Sequence, residues 1–138
     1  MAKQNDPYVL KNIKELAALG CSVDLDNFGT GQSSITNLRN FPVQRIKIDK
    51  SFVSGMHLEK GQKNIMRAIM PLADQLGIQA LAEGVEQLEE LKMLSDMGCE
   101  FVQGFCIARP MPLDDALTWL TSYNQKLSNS KSALKVAV

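Results

Sequence analysis

The sequence predicts an α/β domain built on a parallel sheet, and three observations point there. Short runs with strand-like alternation take turns with runs at helical spacing. Helical runs close on glycines, Gly20, Gly77 and Gly98, each just ahead of the next strand-like run. Every strand-like run ends on a polar or ionisable residue, as strands carrying a site at their carboxyl ends do.

The first helix is marked by Val9, Leu10, Ile13, Leu16, Ala17 and Leu19, which recur on one face up to Gly20. Cys21–Asp26 then alternates, with Val23 and Leu25 opposite Ser22, Asp24 and Asp26, and runs into a Gly29-Thr30-Gly31 turn. A short helix is expected over Ser33–Asn40. Val43–Asp49 follows Pro42 as a second strand, with Ile46 and Ile48 opposite Arg45, Lys47 and Asp49. Ile65, Ile69, Leu72 and Leu76 mark a longer helix ending at Gly77, with a kink or ragged turn expected at Pro71. Ile78–Glu83 is the third strand. Leu88, Leu91 and Leu94 define another helix, Phe101–Gln103 a short fourth strand, and a last helix follows Pro110 and Pro112 with Asp114 and Asp115 in its first turn. Residues 1–126 are expected to form one unit and 127–138 a polar, flexible tail, although Ala133–Val138 has the character to pair with something.

Composition narrows the function classes. The 138 residues are 45% hydrophobic, enough for a core, and 15 basic residues balance 15 acidic ones. With no global field, neither DNA, RNA nor an anionic membrane is an expected partner. No apolar run approaches the roughly 20 residues of a spanning helix. Cys21, Cys99 and Cys106 are odd in number and follow no signal peptide, so reduced thiols in a cytoplasm are expected, each as a small core residue. Met1 followed by Ala2 suits a genuine start.

The strand ends gather Asp26 with Asn27, Lys47 with Asp49, Glu83 with Glu86 close behind, and Gln103. Each has an ordinary explanation alone: Asp26 as a turn residue, Lys47 as a solvated side chain, Glu89 and Glu90 as residues favouring a helix N-terminus. Together they point to a site. Carboxylates on neighbouring strands, roughly 5 Å apart, repel without a partner, and Mg²⁺ or Mn²⁺ and the Lys47 ammonium are the economical partners. His57, the single histidine, argues against zinc. The Gly29-Thr30-Gly31 turn is a weak nucleotide signature, lacking both G-x-G-x-x-G and the P-loop lysine.

Asp26-Asn27-Phe28-Gly29-Thr30-Gly31-Gln32-Ser33-Ser34, Phe41-Pro42-Val43, Lys47-Ile48-Asp49-Lys50-Ser51-Phe52-Val53, Ala82-Glu83-Gly84-Val85-Glu86, Gln103-Gly104-Phe105 and Ala108-Arg109-Pro110 together strongly resemble the EAL domain family of bacterial cyclic-di-GMP phosphodiesterases. The resemblance implies a modified TIM barrel in which two divalent metals activate water to open one phosphodiester bond. It implies metal-site roles for Asp26, Asp49 and Glu83, with Glu83 also the proposed general base and Lys47 positioning the catalytic water. Gln103, Asn27 and Arg109 are candidate substrate contacts, and Asn27 stands where a second acidic ligand is usual. Glu86 supports the site, as does the Phe28, Gly29, Thr30 and Gly31 loop, which in the family couples it to dimerisation. Gln32 replaces a common aromatic, and Asp24 places a charge where a small apolar residue is usual.

The match spans most of Leu16–Pro110, and the family's Glu-Ala-Leu signature and further metal ligands belong to an N-terminal half that this sequence does not contain. A full (β/α)₈ barrel takes about 250 residues. The expected fold is therefore half of a TIM-like barrel, about four parallel βα units, completed by self-association as a homodimer. The expected function is that of a truncated, degenerate signalling module acting through itself or a protein partner. The alternatives are a cyclic-di-GMP-binding effector, or a Mg²⁺- or Mn²⁺-dependent phosphodiesterase completed by dimerisation or by a separate N-terminal half.

Overall fold

A computed structural model describes residues 7–30, 38, 40–129 and 135–136. Its elements are α1 (Pro7–Ala18), β1 (Asp24–Phe28), β2 (Arg45–Ile48), α2 (Lys50–Val53), α3 (Lys60–Gln75), β3 (Gln79–Glu83), α4 (Leu88–Asp96), β4 (Phe101–Gln103), α5 (Leu113–Asn129) and β5 (Lys135–Val136). The strands form one sheet in the order β1-β2-β3-β4-β5, every neighbouring pair parallel. Four strands and the helices between them follow the expected parallel α/β plan. The expected helix over Ser33–Asn40 lies mostly outside the described residues, although Leu38 and Asn40 are helical.

Alternation along the strands divides the sheet into two faces. Leu25, Ile46, Ile48, Ala80, Ala82 and Val102 belong to the core, with Ile46, Ile48, Ala82 and Val102 almost wholly buried among Val53, Met56, Met66, Met70 and Leu94. Burying one such Ile or Leu side chain contributes about 1.5–3 kcal/mol. The opposite face carries Asp24, Asp26, Arg45, Lys47, Gln79, Leu81, Glu83, Phe101 and Gln103. Of its two apolar residues, Leu81 is buried and Phe101 half-buried.

Some sequence expectations shift. Helix α3 buries Met66, Ile69, Met70 and Ala73, a face one position away from that set by Ile65 and Leu76, which are exposed. It continues through Pro71 without a break, because Pro71 lies on the solvent side, where water can serve the carbonyl it leaves without a donor. Helix α1 buries none of its residues fully: Val9, Leu10, Ile13 and Ala17 are half-buried and Leu16 is exposed. Cys99 is buried as expected, its thiol pushed up to about 11 by desolvation, whereas Cys21 is exposed beside the Gly20 turn and not a core residue. Helix α5 runs past Leu127 to Asn129. Lys135–Val136 takes up the pairing left open for Ala133–Val138 by adding alongside β4. The outer strands of the sheet are therefore β1 and β5.

Two backbone devices aim the loops at the carboxyl end of the sheet. After β3 the chain turns at Gly84, in the left-handed region at φ 70°. Val85 then donates to the Gln103 carbonyl at 3.1 Å and accepts from Cys106 N–H at 3.0 Å. A Cβ on Gly104 would collide with the Val85 backbone, so this lacing needs glycine there. The second device is Glu90, only 1% exposed. Its carboxylate accepts from Gly55 N–H at 2.8 Å, Glu86 N–H at 3.0 Å and Gln87 N–H at 3.1 Å, tying the segment after α2 to the start of α4. Burial pushes its pKa up, but the three N–H donors, with help from nearby His57, bring it below the ordinary glutamate value.

A group held below its unfolded pKa contributes stability that is complete above that unfolded value and lost as pH falls through the folded one. Glu90→Ala, which leaves three buried N–H groups without an acceptor, is expected to cost about 3–5 kcal/mol. It should also flatten the acid limb of stability measured by denaturant unfolding between pH 7 and 3. An acid limb as steep as that of the wild type would show that other carboxylates carry it.

Candidate functional site

At the carboxyl end of β1 the register with β2 slips: Leu25 pairs with Ile46 and Phe28 with Ile48, so Asp26 and Asn27 together oppose Lys47. This is a β-bulge, a device that re-aims side chains at a sheet edge. Asn27 absorbs it at φ 52°, a left-handed conformation that asparagine tolerates better than most residues. Its N–H donates to Asp26 Oδ1 at 2.9 Å, and Thr30 returns to the Asn27 carbonyl through its N–H and its hydroxyl, the latter at 2.9 Å. Phe28 is buried in the core and Gly29 lies against the Phe52 ring. Gly31 and Gln32 to Ser34 lie outside the described residues.

The bulge brings Asp26 to Lys47. The Lys47 ammonium stands 3.2 Å from Asp26 Oδ1 and 2.7 Å from Glu83 Oε1, bridging three adjacent strands. The Glu83 hydrogen bond is the leading cause that raises the Lys47 pKa; partial burial opposes it and Asp26 adds to it. Lys47 and Glu83 are about a quarter exposed, at 26% and 24%, while Asp26, at 58%, opens to solvent. Gln103 continues the row, paired in register with Glu83, and is exposed.

The remaining candidate residues are placed apart from this row. Asp49 caps α2, accepting from Ser51 N–H at 2.9 Å; the Ser51 side chain first, and then this backbone bond, hold its carboxyl below the ordinary range. Glu86 is exposed and contributes its N–H to Glu90. Arg109 lies over the Phe105 ring at 4.5 Å, a cation–π contact beyond β4. Among the described residues no three His, Cys, Asp or Glu side chains come close enough to share a metal ion. Asp26 and Glu83 instead share the Lys47 ammonium.

Sequence reasoning missed a second polar row below the first. Arg45 Nη1 lies 3.8 Å from Asp24 Oδ2, and its guanidinium sits 4.8 Å from the centre of the Phe101 ring. This accounts for Asp24: it is the partner of a cation on the next strand. The alternation Asp24-Asp26 against Arg45-Lys47 was the available signal, since parallel neighbours in register pair their charges. Glu90 was legible as a residue near a helix N-terminus. Nothing in the sequence signals its reach to Gly55, from which it is 35 residues distant.

With the geometry in place, comparison with known proteins gives a consistent result. The family model described as "EAL domain" matches residues 1–110. The cyclic di-GMP phosphodiesterase PdeR of Escherichia coli is 39% identical over 120 residues, 87% of this chain and 18% of PdeR. The cyclic di-GMP phosphodiesterase RocR of Pseudomonas aeruginosa is 39% identical over 75% of this chain and 26% of its own length. The chain thus spans a small part of these relatives, down to 14% for an uncharacterised signalling protein of Caulobacter vibrioides. Among solved structures, the EAL domain of Mycobacterium smegmatis DcpA superposes with a TM-score of 0.81 at 34% identity, covering 87% of this chain and 54% of that one. The manganese and cyclic-di-GMP complex of Klebsiella pneumoniae BlrP1 gives 0.70 at 34% identity, covering 75% and 26%.

Because the folded pKa of Lys47 is raised, its contribution is complete below the ordinary lysine value and lost as pH rises through the folded one. Lys47→Met is expected to cost about 1 kcal/mol at neutral pH, since the pair is partly solvated. It should also remove part of the alkaline loss of stability seen by denaturant unfolding. Identical alkaline limbs in the two proteins would rule out Lys47 as the source.

Proposed function

This chain belongs to the EAL domain family, and on that footing we propose that it is a degenerate EAL module that does not hydrolyse cyclic-di-GMP on its own and acts by associating with a second copy of itself or with another protein. The observation that carries this reading is the donor set: Asp26 and Glu83 share one ammonium, that of Lys47, and among the described residues no third His, Cys, Asp or Glu side chain joins them closely enough to hold a metal ion. Beside it, Asn27 offers a neutral amide, a weaker hold on a hard divalent cation than a carboxylate. Asp49 is engaged as a helix cap. Within this reading the module serves cytoplasmic signalling. No helix among the described residues is long and apolar enough to cross a membrane.

A second reading, a cyclic-di-GMP-binding effector, draws on one observation. The complex of the PaMucR phosphodiesterase with c-di-GMP superposes on 83% of this chain with a TM-score of 0.76 and 33% identity. Gln103, Asn27 and Arg109 are then the ligand contacts. If dimerisation or a separate N-terminal half added further acidic ligands, Asp26, Asp49 and Glu83 would contribute to holding Mg²⁺ or Mn²⁺. The metal would supply charge stabilisation and an activated water, with Glu83 as base and Lys47 orienting the nucleophile.

Purified chain incubated with cyclic-di-GMP and Mn²⁺ is expected to yield no more pGpG than a Glu83→Gln control. Product that the control lacks overturns the non-catalytic reading. Calorimetric heat that saturates with cyclic-di-GMP favours the effector. Light scattering across micromolar concentrations is expected to show a mass rising towards two chains, and a single-chain mass throughout removes self-association.

A further inference from the structure

Beyond the residues matched by the EAL model, Lys135–Val136 returns to the sheet and pairs in parallel with β4, Lys135 opposite Phe101 and Val136 opposite Val102. A closed barrel has no edge, so in a TIM-type barrel the strand equivalent to β4 has neighbours on both sides. In this chain the second neighbour is its own β5. At the other end of the sheet, β1 pairs only with β2 among the described residues, leaving its outer side open.

We infer that β5 is a displaceable cap on a self-association edge: when Lys135–Val136 leaves β4, that edge pairs with β1 of a second copy, and a two-fold pair of chains closes one eight-stranded barrel. The inference rests on the association reading above and names its surface. Four strands, β1 to β4, are half of the eight in a (β/α)₈ barrel, and all run in one direction. A two-fold axis along the barrel preserves that direction. It joins β4 of each copy to β1 of the other, an isologous arrangement that closes after two chains and leaves no edge for further growth. With β5 in place, β4 cannot reach the second copy. The cap is short, two residues against the five of β1, so its release is a local event that leaves the core of the sheet untouched.

A chain competent to pair in only a fraction of its population shows an affinity weakened by that fraction. Replacing both cap residues, Lys135→Pro with Val136→Pro, removes both of their N–H donors from the pairing. Lys135→Gly with Val136→Gly weakens the strand while keeping its donors. In sedimentation velocity on the full chain, the proline variant is expected to lower the dimer dissociation constant by about tenfold or more, with the glycine variant intermediate. Hydrogen exchange read by mass spectrometry should show new protection across Asp24–Phe28, the strand farthest from the substitutions in sheet order. An unchanged dissociation constant in both variants overturns the cap. Tighter association without protection at β1, or growth beyond two chains, overturns the closed barrel. If the wild type stays a single chain while the proline variant pairs, the cap stands and the association reading fails for the capped chain. If the wild type pairs and neither variant changes it, association stands and the cap falls.

Discussion

The parallel register of β2 against β3 is the constraint on which the rest of the structure depends. Ile46 lies opposite Ala80 and Ile48 opposite Ala82, while Arg45 and Lys47 lie opposite Gln79 and Leu81. A slip of one residue would exchange the faces, sending two cations into the methionine-rich core and the isoleucines into water. With the register held, the helices cover one side of the sheet and a polar side remains. Every candidate chemical group on the strands is a consequence of that division.

On the polar side, charge pairing dominates. Asp24 with Arg45 and Asp26 with Lys47 and Glu83 form two rows across the strands, each carboxylate within reach of a cation. Partly solvated, such pairs add modestly to stability. Their larger effect is chemical. An ammonium held between two carboxylates offsets one of their two charges and so weakens the local negative field that would draw a divalent cation, and the bulge at Asp26 and Asn27 is what brings the first carboxylate into line. The EAL character of the chain and the reading of it as a degenerate module therefore meet in one place, the carboxyl end of β1, β2 and β3.

The loops beyond those strand ends are fixed by backbone contacts rather than by side-chain packing alone. Glu90 collects three N–H groups from two loops, and Val85 is laced to Gln103 and Cys106 across a glycine that leaves no room for a side chain. These contacts set where Glu83 and Gln103 stand relative to one another. The helices at the two ends of the chain are less constrained. Helix α1 has no fully buried residue, and α5 carries its own Trp119–Tyr123 stack, with ring centres 4.7 Å apart. The protein is firm at the centre of its sheet and open towards its margins, where association is proposed to occur.

The sequence by itself determined the parallel α/β plan, because period-two and helical patterns alternate between glycine stops. It also marked Asp26, Lys47, Glu83 and Gln103, because each stands at a strand end and within a family motif. Local signals carried less elsewhere. Ile65 and Leu76 fit a core stripe with Ile69 because an apolar run fits more than one helical phase, and the burial of Met66, Met70 and Ala73 beside Ile69 chose another. Only the tertiary structure decided that Lys47 serves two carboxylates at once and that Asp24 belongs to Arg45. It alone showed Glu90 reaching Gly55, 35 residues away, and Lys135–Val136 returning to β4. The physical reason is common to all four: each is a contact between segments remote in sequence, set by sheet register and loop closure, which no local pattern of residues encodes.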